Sequence, residues 1–266
     1  MSAYNYSGYD ALGRITASTQ STDGQSYQMS YGYNLAGAMI SETYPSGRVV
    51  STVYNNSGRV SQVSGQKAGE AVKTYASSFN YTAHGAVKEL KLGNNLWEHT
   101  SFNTRLQPTE IALGTSTTDS SKLHLAYAYG TTANNGNVLS QTITISGGPT
   151  LSQTYSYDSL NRLDTATESN ASVQTWKQRF SYDRFGNRTF NQAETSQNVL
   201  GANHTISTTN NRINATGYSY DNAGNLLNDP NHSYSYDAEN RMVSNDGGAN
   251  QYSGVAASYS YDGDGR

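Results

Sequence analysis

The 266-residue sequence contains no cysteine, which removes disulfides and thiolate metal sites from consideration. Charged residues make up only 14% of it and the net charge is −3. Neither nucleic acid nor an anionic membrane is therefore indicated as a main partner. No apolar run approaches the roughly 20 residues of a membrane-spanning helix, so no membrane insertion is expected. The opening stretch, MSAYNYSGYD, has neither the basic nor the apolar region of a signal peptide, and none is expected in this segment. Leu, Ile, Val and Phe together supply only about 15% of the residues, a level at which disorder has to be considered.

The low net charge argues against disorder, and 22 tyrosines supply the missing apolar area, each ring being a large hydrophobic surface with a polar tip. Tyr, Thr and Val favour strands, whereas Gly, Asn, Ser and Asp favour turns. No segment keeps a 3.6-residue apolar period. The nearest, HGAVKELKLG from His84, still reads as a strand. The composition predicts an all-β chain.

One phrase recurs: YSYDSLNR at Tyr155, YSYDNAGN at Tyr218, YSYDAENR at Tyr234 and YSYDGDGR at Tyr259. Its general form is aromatic, any residue, aromatic, Asp or Asn, two variable residues, then Gly or Asn, with Tyr or Phe directly before the first turn residue. The turn pairs are Asp10/Gly13, Asn34/Gly37, Asn55/Gly58, Asp158/Asn161, Asp183/Gly186, Asp221/Gly224, Asp237/Asn240 and Asp262/Gly265, with Thr82/Gly85 a weaker ninth. Intervals of 24, 21, 27, 25 and 25 residues in the better-spaced parts mark a repeat architecture.

Each feature has a local cause. Alternation puts both rings of Tyr-x-Tyr on one face of a strand. Asp or Asn at the first turn position accepts backbone N–H bonds and closes a type I turn. Three residues later a positive φ is required, which suits Gly and is tolerated by Asn. Arginine follows five of the nine turns, as Arg14, Arg59, Arg162, Arg241 and Arg266, where it can bond the turn carboxylate or lie over a ring. Second turns are expected at TDGQ (Thr22), YPSGR (Tyr44), GNN (Gly93), SGGPT (Ser146) and NDGG (Asn245). The outcome is a long antiparallel meander of β-hairpins forming a curved ribbon, with an aromatic face built from Tyr155, Tyr157, Tyr182, Tyr218, Tyr220, Tyr234 and Tyr236. The regularity weakens at SFNTRLQPTEI (Ser101), where a shortened turn is expected. It weakens again at AYAYGTTANNGNVLSQTI (Ala126), a drifted copy with Gly130 in place of Asp, and the polar stretch 191–211 reads as a mobile insertion.

YSYDSLNRL, FSYDRFGNR, YSYDNAGNLL and YSYDAENRM resemble the YD repeats of Rhs-type proteins, very large bacterial surface and secreted proteins. Similar repeats occur in insecticidal toxin complex shells and in teneurins. The resemblance covers nearly the whole chain, more weakly over 1–150 and more strongly over 151–266, as one array read as cut from a longer protein at both ends. It implies a hairpin ribbon spiralling into part of a hollow β-shell that commonly encloses a C-terminal toxin-like cargo, and a secreted or cell-surface location. A DPxGL-like core segment with a self-cleavage site, usual in that family, has no counterpart here.

No motif is left over for chemistry. The five histidines show no metal-ligand spacing, and no phosphate loop, nucleophile elbow or Ser/His/Asp context emerges. DGDG at Asp262 reads as a turn rather than the start of a calcium loop, and eight Asn-x-Ser/Thr sites from Asn5 to Asn231 fit an Asn-, Ser- and Thr-rich composition. No catalytic, cofactor-binding or metal residue is expected. The readings left are a structural scaffold segment partnered by the remaining repeats and the cargo, and an adhesin module whose exposed tyrosines bind a glycan or cell-surface receptor. Exposed strand edges add the expectation of self-association, including filaments.

Overall fold

The computed structural model describes residues 3–22, 24–199, 201, 203–247 and 256–261. Sixteen strands pair in strict chain order into one antiparallel sheet. They are β1 Ala3–Tyr9, β2 Ile15–Thr22, β3 Gln25–Tyr33, β4 Met39–Thr43, β5 Val49–Tyr54, β6 Val60–Gln66, β7 Lys73–Tyr81 and β8 Val87–Leu92, followed by β9 Trp97–Phe102, β10 Pro108–Gly114, β11 Leu123–Ala128, β12 Ser140–Ile145, β13 Thr150–Tyr157, β14 Leu163–Asn170, β15 Val173–Tyr182 and β16 Arg188–Phe190. A two-stranded sheet follows, β17 Ser219–Tyr220 with β18 Leu226–Asn228. A three-stranded sheet comes last, of β19 Tyr234–Tyr236, β20 Met242–Asn245 and β21 Ala257–Ser258. One 3₁₀ turn, Gln197–Val199, is the only helical element among the described residues. The expected all-β hairpin meander is the observed fold, and the stretch after His84 is strand β8.

Among the described residues the sheet has no second layer. The molecule exposes 16771 Å², against about 11,000 Å² for a compact globular chain of this size. Among the described residues the buried apolar side chains are Ala112, Tyr129, Ala166 and Phe180. Strand alternation still separates two faces. Ile111, Leu125, Ile143 and Leu151 form one cross-strand row. One residue along, His99, Ala112, His124, Thr144 and Thr150 form a row on the opposite face. Stability in such a ribbon is a chain of neighbour-to-neighbour terms rather than the property of one core.

The stretch expected as a mobile insertion is bonded to the end of this sheet. The Ser196 amide donates to the Lys177 carbonyl (2.8 Å), and Ser196 Oγ accepts from the Lys177 amide (2.9 Å). Thr195, 5% exposed, accepts from the Arg179 amide through Oγ1 at 3.0 Å. The Asn203 side-chain amide bonds both the N–H and the C=O of Phe190, at 2.7 and 2.8 Å. Side-chain and backbone groups of this stretch occupy donors and acceptors of Phe190 on β16 and of Lys177 and Arg179 on β15, beyond the end of the short β16, which is one way a sheet edge is kept from pairing with other chains.

The segment SFNTRLQPTEI is the clear departure from expectation at the level of turns. Its turn is full length. The Asn103 amide donates to the Gln107 carbonyl and the Leu106 amide to the Asn103 carbonyl, with Leu106 at φ 63° in the glycine position. The Asn103 side chain, accepting from the amides of Arg105 and Gln107, imposes the geometry on a residue that resists it.

Candidate functional site

The repeated turn is the most elaborate polar feature of the molecule. In each copy the first residue's amide donates to the carbonyl four residues on, and the fourth residue's amide donates back to the first carbonyl. Asp10, Asn34, Asn55, Asp158, Asp183, Asp221 and Asp237 all begin such a turn. Positive φ falls on Gly13, Gly37, Gly58, Gly186 and Gly224, and on Asn161 (60°) and Asn240 (61°). The last pair, Asp262/Gly265, and Arg266 lie outside the described residues.

The turn carboxylates are fully engaged. Asp158 Oδ1 accepts from the amides of Leu160 and Arg162, both at 2.9 Å, while Oδ2 takes the Arg162 guanidinium at 2.7 Å. Asp10 with Arg14 and Asp237 with Arg241 repeat this pattern. At Asp183 and Asp221 an asparagine, Asn187 or Asn225, replaces the arginine. The backbone amide of the following arginine is the main cause that holds Asp10, Asp158 and Asp237 below the ordinary carboxylate range. For Asp183 and Asp221 it is the asparagine side chain.

A second device was not legible in the sequence. Each YD tyrosine of the main sheet except Tyr129 pairs with the residue six positions on, as Tyr9 with Ile15, Tyr33 with Met39 and Tyr157 with Leu163; in the drifted copy of Tyr129 the corresponding carbonyl is that of Val138, nine positions on. The carbonyl of that partner is then capped by the tyrosine of the next hairpin. Tyr33 Oη donates to Ile15, Tyr54 to Met39, Tyr81 to Val60, Tyr129 to Pro108, Tyr157 to Val138, Tyr182 to Leu163 and Tyr261 to Met242, all at 2.6–2.9 Å. The arginine beside the capped residue lies over the same ring: Arg14 over Tyr33 (4.7 Å), Arg59 over Tyr81 (5.3 Å), Arg162 over Tyr182 (4.4 Å) and Arg241 over Tyr261 (4.8 Å). The arginine thus bridges its own turn and the next hairpin. The available signal was that the second aromatic is Tyr in every copy but that of Phe102, whereas the first is Ser7 or Thr52 in two copies. A need for the hydroxyl accounts for that bias.

The other aromatic positions are less uniform. Tyr155 Oη bonds the side chain of Gln153, and burial raises the phenols of Tyr155 and Tyr157 above their ordinary range. Tyr220 lies under Arg212 (5.3 Å) and accepts from the Ile213 amide. Ile206 and Ile213 form an isolated bridge, so a degenerate hairpin is hidden in the polar stretch. Tyr218 meets His204 edge-on at 5.7 Å. Tyr234 donates to Asp229, and that bond pushes its phenol up to about 12. Tyr236 pairs with Met242 across β19 and β20.

Two histidines that are 25 positions apart in sequence meet across strands. Glu110 Oε1 lies 3.1 Å from His124 Nε2 and 3.8 Å from His99 Nε2, and Glu110 Oε2 accepts from Ser101 Oγ at 3.0 Å. Register, not spacing, joins them. Among the described residues no group of three His, Cys, Asp or Glu is arranged to hold a metal ion, and no helix is long and apolar enough to cross a membrane.

Turn, tyrosine seat and single-layer meander together define a YD-type β-hairpin repeat array. Residues 9–49 match the family model described as RHS Repeat. No curated protein matches it. Solved structures do. A crystal structure of TcdB2-TccC3 superposes with a TM-score of 0.78 at 19% identity, covering 99% of this chain and 16% of that one. The Photorhabdus luminescens Tc holotoxin pore with the TccC3-D651A mutation gives 0.77 at 19%, covering 99% and 15%. A TcdB2-TccC3-Cdc42 crystal structure gives 0.78 at 18%, again covering 99% and 15%. The likeness is one of fold, and the chain spans about 15% of the length of these structures' chains.

Proposed function

We propose that the chain is a non-catalytic wall segment of a large secreted or cell-surface Rhs/YD-repeat protein, contributing to a shell around a C-terminal toxin-like cargo. One observation carries this reading: the recurring polar and aromatic residues are consumed in holding hairpin to hairpin. The turn carboxylates bond their own amides and arginines, and the tyrosine hydroxyls cap backbone carbonyls. Such a sheet does mechanical work, and its large exposed area suits a wall with two sides. The similarity to segments of Tc structures supports the same role, shared with further repeats because this array is a small part of those chains. A hydrolase screen on the purified chain tests the non-catalytic claim. Turnover of any substrate, abolished by replacing a single Asp or His, overturns it.

The adhesin reading has its own observation. Tyr4, Tyr6 and Tyr27 of β1 and β3 are 41–46% exposed, the kind of aromatic surface on which sugars stack. A glycan array separates the two: selective binding lost on replacing Tyr4, Tyr6 and Tyr27 by Ala favours the adhesin.

A further inference from the structure

Glycine is the ordinary residue at the positive-φ position of a turn, and asparagine is its usual substitute. In this chain the choice between them follows the turn before. Where the residue just after the positive-φ position is arginine, the next turn carries glycine: Arg14 precedes Gly37, Arg59 precedes Gly85, Arg162 precedes Gly186 and Arg212 precedes Gly224. Where it is asparagine, the next turn carries asparagine: Asn187 precedes Asn211, and Asn225 precedes Asn240. The contacts account for both rules. Asn187 and Asn225 donate through Nδ2 to Oδ1 of Asn211 and Asn240, at 2.6 and 2.7 Å. Asn161 follows a loop instead of a short turn, and its Oδ1 accepts from the side chains of Asn135 and Asn137 at 2.7 and 3.2 Å. The arginines go to the main chain. Arg14, Arg59 and Arg212 donate to the carbonyls of Asn34 (3.0 Å), Thr82 (3.4 Å) and Asp221 (3.1 Å), each of which already accepts from the glycine amide of its own turn. The guanidinium therefore passes close to the glycine: a Cβ on Gly224 would stand 3.2 Å from Nη2 of Arg212, and one on Gly37 3.8 Å from Nη1 of Arg14.

We propose that the positive-φ position and the residue after it form a recognition pair that decides which hairpin turn can follow which. An asparagine in one turn selects an asparagine in the next, which supplies the acceptor for its amide. An arginine selects a glycine, which leaves the path to the carbonyl clear. A mismatched turn loses in either direction: glycine after asparagine leaves an amide without its acceptor, and asparagine after arginine crowds the guanidinium. Backbone ladder bonds are the same for any two strands, so they cannot tell one hairpin from another. Side chains that reward one neighbour and penalise the other supply that discrimination. The pair thus fixes the order of hairpins along the ribbon, a property that goes beyond the wall reading and is measured separately from it.

Asn161→Gly and Asn240→Gly test it by sign. At φ of 60° and 61° glycine is the less strained residue, so backbone preference alone predicts amide hydrogen exchange that is unchanged or slower around each altered turn. Recognition predicts the reverse: exchange faster by at least about threefold, in β13 and β14 for Asn161→Gly and in β18 to β20 for Asn240→Gly, because the donor amides lose their acceptor. Asn225→Arg alone is expected to speed exchange in β18 to β20 as well, since Asn240 then stands in the path of the guanidinium. Combining Asn225→Arg with Asn240→Gly recreates the arrangement of Arg212 and Gly224, and the new side chain can bond Asp221 as Arg14 bonds Asp10. The double variant should return exchange to within about twofold of the parent chain, a coupling that independent sites do not show. A smaller change than predicted, or one of opposite sign, in either Asn→Gly variant overturns the proposal. So does a double variant that recovers less than half of the loss seen in the poorer single variant.

Discussion

Replacing Tyr182 with Phe isolates the part of the hairpin seam that sequence did not reveal. The substitution removes one oxygen, which donates to the Leu163 carbonyl at 2.6 Å, and leaves the ring under Arg162 in place at 4.4 Å. The arginine stays pinned by Asp158 at 2.7 Å, so the cation–ring contact survives. What is lost is a single neutral hydrogen bond at a half-buried site, worth about 1 kcal/mol net. Water can reach part of the freed carbonyl, which keeps the loss below the cost of an orphaned buried acceptor. Global unfolding is a poor readout, because long repeat arrays lose two-state behaviour. Amide exchange in β14 and β15 reads the local opening energy instead, and a loss of about 1 kcal/mol is about a fivefold faster exchange there. Tyr9→Phe serves as the control, since Tyr9 Oη has no hydrogen-bond partner among the described residues. Equal exchange rates in the two variants, relative to the parent chain, would refute the tyrosine seat as an energetic element.

Other outcomes follow from the same geometry. Gly186→Val and Gly224→Val, at φ of 88° and 101°, should each destabilise the local hairpin by at least about 1 kcal/mol, seen as faster exchange in β15 to β18. Leu106→Gly should do the reverse by up to about 1 kcal/mol, because leucine at φ 63° is strained and 56% exposed. The five turn carboxylates are held below their ordinary range, so their stabilisation is complete above the ordinary value near 3.9 and fades as pH falls through the lowered ones. Acid titration by circular dichroism should show that loss, and Asp158→Asn should shrink it. Asn203→Ala frees the N–H and C=O of Phe190 and should raise self-association in sedimentation velocity; an unchanged profile would show that the guard is dispensable.

Hairpin order and turn chemistry were legible because they are local. Asp or Asn four residues ahead of its bonding partner, with Gly or Asn between, specifies the turn without reference to anything else, and period-two alternation specifies the strands. The turn from Asn103 to Leu106 is hidden in the sequence because leucine at a left-handed position looks like a missing turn. The side chain of Asn103 decides the geometry, and its two accepted bonds do not show in spacing. Contacts made across strands were hidden for a different reason. Tyr182 on Leu163, Glu110 between His99 and His124, and Asn203 on Phe190 depend on register and on a chain reversal, and residues 11 to 19 apart give no local signal. The polar stretch from 191 reads as an insertion because its composition carries no alternation. Its contribution comes from three side chains acting as a strand.

Protease protection tests the wall reading most directly. A polypeptide carrying this array together with the domain it is proposed to enclose is digested with a broad-specificity protease, alongside the same polypeptide bearing Gly186→Val and Gly224→Val. The account predicts that the enclosed domain survives intact while the hairpins hold and is degraded when the two turns are opened. Digestion of that domain at the same rate in both would contradict it.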